Sequence, residues 1–179
     1  MKLKITLGLL LLLSFFICFS FLMEAGVFIA DTIFAIAKPH LAKSLLQQID
    51  LAPLFTYDRG HFLVVASIIV IVAGLKTWLF WLITRILDNK DVEAAQPFKK
   101  KIRQLIFLLS YVALLIGAFS FYGVGYTEWL VKQGVRMPDT QHMQLGGAEV
   151  WIFMAVILFV IAQIFKRGIE LQTESELTV

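Results

Sequence analysis

The chain has 179 residues, 59% of them hydrophobic and only 16% charged, with a formal net charge of +3 and a mean hydropathy of +0.82. Soluble domains carry about 25% charged residues, so composition excludes an ordinary soluble domain and points to a membrane. A single cysteine, Cys18, excludes an internal disulfide and a cysteine-based zinc site.

Four apolar runs follow in chain order: Ile5 to Ile29, His61 to Leu87, Ile102 to Tyr122 and Ala148 to Phe165. Each meets the requirement of roughly 20 mostly apolar residues to cross ~30 Å of hydrocarbon at ~1.5 Å per residue. Lipid offers no hydrogen bonds to bare backbone, so each run must be helical. The expected fold is all-α: a polytopic four-transmembrane-helix bundle, one domain over residues 1–179, with a short cytosolic tail at 166–179. Lys2 and Lys4 open the first run as they would a secretory signal. Its apolar core exceeds the ~7–15 residues of a signal, and the first Ala-x-Ala (Ala35 to Ala37) lies far downstream, so the run is read as a span.

After Pro39, the residues Leu41, Leu45, Leu46 and Ile49 fall on one helical face, opposite Lys43, Ser44, Gln47, Gln48 and Asp50. This spacing predicts an amphipathic helix in the first outer loop, with Pro53 and Gly60 marking its exit. The second outer loop, Gly123 to Gly147, is expected to be irregular because of Gly134, Pro138, Gly146 and Gly147. The absence of an internal repeat weighs against an inverted-repeat transporter.

Lys and Arg are retained on the cytosolic side. With the N-terminus inside, the inner segments hold Lys2, Lys4, Arg85, Lys90, Lys99, Lys100, Lys101, Arg103, Lys166 and Arg167. The longer outer loops hold only Lys38, Lys43, Arg59, Lys132 and Arg136. Both termini are therefore expected in the cytosol, and the basic residues read as topology determinants rather than a nucleic-acid surface. Tyr122, Tyr126, Trp129 and Trp151 fall at the expected outer interface, with Trp78 and Trp81 toward the inner one.

Lys76 stands inside the second span, where a charge costs at least ~2.5–3.5 kcal/mol on insertion scales. Its expected neighbours are Gln163, Ser110 and Tyr111 at comparable depth, or an inner-leaflet phosphate reached by snorkelling. Ser110, Ala113, Gly117 and Ser120 form one small-residue face of the third span, suited to close helix packing or to homo-oligomerisation. Ser67 and Gly74 are expected to do the same on the second. Glu24 and Asp31 share a helix face near the outer end of the first span. With Asp58, Glu128, Asp139, Glu149, His40, His61 and His142 they make the outer side polar, but the histidine spacings match no compact metal motif. Solvated loop residues, or salt bridges to Arg59, Lys132 and Arg136, are the expected reading. His-Glu-x-x-His, Gly-x-Ser-x-Gly and phosphate-binding glycine loops are missing. The expectation is a protein that is not an enzyme, with no catalytic residue, cofactor or metal.

The chain closes with Gly168, Glu170, Leu171, Gln172, Glu174 and Leu177 on a helix running into the cytosol. Acids at a helix C-terminus cost ~0.3–1 kcal/mol when exposed, which the basic stretch Lys99, Lys100, Lys101 and Arg103 on the same side could offset. The ending Gly168-x-x-Leu171-Gln172-x-Glu174, then Leu177-Thr178-Val179, resembles the closing signature of the bacterial domain-of-unknown-function family 2975. Pro97 and Phe98, opening the third helix, match that family's inner-loop pattern, although Lys99 to Lys101 stand where small polar residues are common. The resemblance implies a four-span protein of the bacterial inner membrane with no established activity. It also implies a neighbouring helix-turn-helix regulator of the Cro/C1 type, hence a membrane protein that tethers a DNA-binding partner through its tail without itself binding nucleic acid. The competing expectation is a subunit of a small oligomeric transporter or channel that uses Lys76.

Overall fold

The structure is a computed structural model, and it describes residues 2–37, 51–88 and 100–177. The expected amphipathic helix between Leu41 and Ile49 lies outside the described residues, as do Pro97, Phe98 and Lys99. The described elements are α1 (Lys2–Ala37), α2 (Ala52–Tyr57), α3 (Arg59–Leu87), α4 (Lys100–Lys132) and α5 (Ala148–Leu177). Of these, α1, α3, α4 and α5 are each long and apolar enough to cross a membrane.

Neighbouring long helices are antiparallel. Ser14 of α1 meets Thr84 of α3 at 2.9 Å, His61 of α3 meets Tyr126 of α4 at 2.6 Å, and Ser110 of α4 bonds the Ala155 carbonyl of α5 at 2.9 Å. All four helices run further than the apolar runs suggested. The chain expected to unwind at Gly123 stays helical to Lys132, and the tail continues α5 as far as Leu177. Glycines in a helix bounded by Phe121, Tyr122 and Tyr126 lower propensity but do not break it, because packing decides. Gly123 in fact faces α3 and the following loop, its missing side chain leaving space that Ile68 and Leu145 enter.

The end of α4 is a Schellman motif. Gly134, at φ +84°, donates to the Val131 carbonyl, and Val135 donates to Leu130. At the start of α3, the Asp58 carboxylate caps the helix by accepting from the His61 amide at 2.8 Å. Gly60 makes that cap possible: a Cβ there would stand 2.9 Å from the Asp58 carboxylate.

The helices form an open row, α1 on α3, α3 on α4 and α4 on α5, with α1 and α5 as its edges. α1 docks through a narrow seam: Leu7, Leu11, Ser14, Cys18, Phe21, Ala25, Phe28, Thr32 and Ala35, all buried or half-buried, recur at alternating steps of four and three. That is the 3.5-residue period of a left-handed coiled-coil contact. Leu and Phe side chains on the rest of α1 are exposed, as expected of a lipid-facing surface. Deeper in the row, α5 crosses α4 at Gly117, where a Cβ would lie 2.6 Å from Ile152 Cγ1 and 3.2 Å from the Ala148 carbonyl. Ala113 and Ser120 are buried on this helix. Ser67 and Gly74 correct the reading of α3: both are exposed, and nothing lies within 4 Å of a Cβ built on Gly74.

Gly117→Ala should therefore force α4 and α5 apart and cost about 1–3 kcal/mol. It is expected to lower the melting temperature of the detergent-solubilised protein by several degrees, whereas Gly74→Ala leaves it unchanged.

Candidate functional site

The first contact of α5 with α4, at Ala148 and Gly117, lies well short of α4's end. α4 continues to Lys132, about 22 Å further along its axis, so the connection through residues 133–147 must return that distance. It descends between the helices. Met143 and Leu145 are fully buried, and Leu145 packs at Gly123 beside Ile68. Irregular backbone at such depth requires protein around it or a lined cavity.

On the way down it forms a single helical turn. Met143 donates to the Asp139 carbonyl, Gln144 to Gln141, and Leu145 to Thr140. The Asp139 carboxylate caps the start by accepting from the Gln141 amide at 3.3 Å. Gln144 closes the turn at φ +59°, a left-handed conformation that costs a non-glycine residue about 1–2 kcal/mol. Two contacts offset this cost. The Gln144 carbonyl accepts from Lys76 Nζ at 2.7 Å, and its side-chain amide donates to Glu24 Oε1 at 2.8 Å. Gln144 thus bridges the intramembrane cation to a carboxylate on α1.

Lys76 is 5% exposed. The pairings of His61 with Tyr126 and of Ile68 with Gly123 bring it level with the Ala113 region of α4, about 15 Å from Arg103 and so near the middle of a ~30 Å core. The expected neighbours are not the ones it meets. Ser110 bonds Ala155 instead, and Tyr111 and Gln163 are exposed. Side chains lean toward the N-terminus of their own helix, and for α3 that is the end carrying the turn, away from Arg85. The ammonium also lies 5.8 Å from the Phe21 ring and 5.7 Å from the Trp151 ring, within cation–π range. Trp151 therefore holds a place beside the buried cation.

A cleft of about 610 Å³ opens above Lys76, between α1, α3 and the turn. Glu24 and Asp31 stand on its α1 wall, Ile69 and Ala73 on α3, and His142 and Gln144 on the turn. Among the described residues no three of His, Cys, Asp and Glu gather as metal ligands. His61 is engaged elsewhere, with Tyr126 and against the Trp129 ring. The tail lies at the opposite end of the bundle. There Gly168 is half-buried, Ile169 buried, and Glu170, Leu171 and Glu174 exposed; Gln172 is half-buried. Lys101 and Arg103 begin α4 at that same end. Tail and cleft are thus separate features, joined by α5.

Four apolar helices, antiparallel and in contact, define an all-α membrane protein of the multi-pass class. The family described as proteins of unknown function, DUF2975, matches residues 44–179, so the chain belongs to that family. No curated protein and no solved structure matches it.

Breaking the Lys76 contact should free the turn. In a Cys18→Ser background, Met143→Cys is expected to resist a thiol reagent in detergent and to become reactive when Lys76→Met is added. The lost charge-assisted bond is worth about 1.5–3 kcal/mol.

Proposed function

We propose that this protein is a non-enzymatic, partner-binding membrane protein whose exposed helical tail holds a cytosolic regulator. The observation that carries the reading is Leu171. It is 59% exposed on α5, beyond the Lys166–Arg167 pair that closes the apolar run. Lipid explains the exposed apolar side chains of the spans, but not one that follows two basic residues. Glu170 and Glu174 flank it one helical turn apart, so the strip is apolar and acidic together. The exposed carboxylate of Glu170 beside Leu171 offers negative charge to a basic partner. A small helix-turn-helix regulator, whose DNA-facing surface is basic, fits that chemistry.

Orientation follows the distribution of basic residues, which cluster at the end holding the termini of α1 and α5. A Thr173→Cys variant without Cys18 should react with an impermeant thiol reagent in inverted vesicles and not in intact cells.

The runner-up is a small transporter or channel subunit. The cleft at Lys76 favours it, but the ammonium there is held by a carbonyl and two rings.

The deciding experiment is affinity purification of tagged full-length protein from native membranes in mild detergent, beside the variant Glu170→Lys/Leu171→Gln, which leaves buried Ile169 in place. Recovery of a small DNA-binding protein with the parent chain and at least about tenfold less with the variant, equivalent to ~1.4 kcal/mol, supports tethering. Equal recoveries would reject it and send attention to Lys76 and transport.

A further inference from the structure

We propose that the cleft above Lys76 binds an isoprenoid quinol, one ring oxygen accepting from Lys76 and the hydroxyl opposite donating to Glu24. This goes beyond the tail reading and does not depend on it.

Gln144 shows which groups a ligand here must carry. Its carbonyl accepts from Lys76 Nζ at 2.7 Å, and its side-chain amide donates to Glu24 Oε1 at 2.8 Å. An ammonium has three N–H groups and a carboxylate two oxygens, so each has capacity beyond what Gln144 uses. All three residues line the cleft. A ligand lying beside the glutamine therefore repeats its pattern, with an acceptor for Lys76 and a donor for Glu24. Glu24 stands one turn, about 4.5 Å, outward of Phe21, whose ring lies 5.8 Å from the ammonium. The two oxygens of a quinol sit on opposite edges of one six-membered ring and span on the order of one helical turn.

Depth narrows the ligand's class. Lys76 lies near the middle of the hydrocarbon and Glu24 only one turn further out, so a charged lipid head would have to leave its interface to reach them. A bare anion would meet the Glu24 carboxylate, and a bare cation would end against the ammonium. A quinol is neutral, and its isoprenoid tail already holds the ring in hydrocarbon.

The walls at this level suit a flat, apolar ring. Ala73 precedes Lys76 by three residues on α3, which sets it about 4.5 Å outward, level with Glu24. Its methyl leaves width that a larger side chain would take. Phe21 and Phe28 of α1 and Ile69 of α3 line the same cleft, whose volume of about 610 Å³ falls within the ~300–1,000 Å³ of small-molecule sites. The row of helices is open, because α1 packs on α3 and shares no packed interface with α5. The tail therefore has a sideways path to the bilayer.

The test uses the full-length protein in nanodiscs, equilibrated with decylubiquinol under argon or with decylubiquinone, beside empty nanodiscs that measure simple partition. Bound ligand is extracted and quantified by chromatography. The parent protein should retain the quinol above empty nanodiscs. It should also favour it by about fivefold or more over the quinone, whose two carbonyls offer Glu24 no donor. Glu24→Gln keeps an oxygen for the Gln144 amide but offers the ligand an N–H, and should bring that ratio to one or below. Ala73→Leu, which fills the cleft, should remove retention of both forms. Retention no greater than in empty nanodiscs, or equal retention of quinol and quinone by the parent protein, overturns the proposal. So does an unchanged preference in Glu24→Gln or continued quinol retention in Ala73→Leu.

Discussion

A single ammonium near the middle of a bilayer sets the terms for the rest of this molecule. Hydrocarbon supplies no acceptor, and a helix backbone has already committed its carbonyls. Lys76 therefore needs an acceptor from outside its own helix. The chain provides one by turning the α4–α5 connection back into the bundle and presenting the Gln144 carbonyl, unused by any helix, at the tip of a left-handed turn. The same residue reaches Glu24 on α1. One glutamine thus ties together the edge helix, the central helix and the loop.

That arrangement explains why the bundle holds with so little apolar burial in α1. Between helices in lipid no hydrophobic force distinguishes a neighbour from an acyl chain, so association rests on close packing and polar contacts. α1 makes its contact through the small and polar residues of its seam. Ser14 bonds Thr84 and the Phe80 carbonyl, and Cys18 approaches the Thr77 carbonyl. The α4–α5 pair relies on Gly117 and on the Ser110 hydroxyl. The re-entrant turn fills the space that an open row leaves between them.

The four spans were legible because hydrocarbon thickness acts on every residue of a run, and a run of apolar residues can mean little else. Their ends were not. Gly123 and Gly125 resemble loop residues, yet the first accommodates Ile68 and Leu145 by close approach, and helix continues through both. Lys76 was legible as an anomaly, but its partner was not, because a carbonyl acceptor has no side-chain signature and Gln144 looks like any loop residue. Two signals were present. Lysine leans toward the N-terminus of its helix, which directs it away from Ser110 and Tyr111. Met143 and Leu145 are apolar residues in a polar loop, and both are fully buried. On α3 the small residues Ser67 and Gly74 misled, since small size permits close packing without requiring it. The acidic tail is the reverse case: its residues and the helix that carries them were both expected from the sequence, and that helix runs to Leu177.

The bond between Lys76 and Gln144 also imposes an order on assembly. The two residues are separated by 68 positions in the chain. At about 5–20 residues per second, several seconds of synthesis pass between them. Throughout that interval α3 exists as a nascent segment with a charge and no acceptor, so the insertion machinery or a passing lipid phosphate must shelter it. The connection that follows α4 then delivers the carbonyl, so Lys76 finds its acceptor only once the third span has been made.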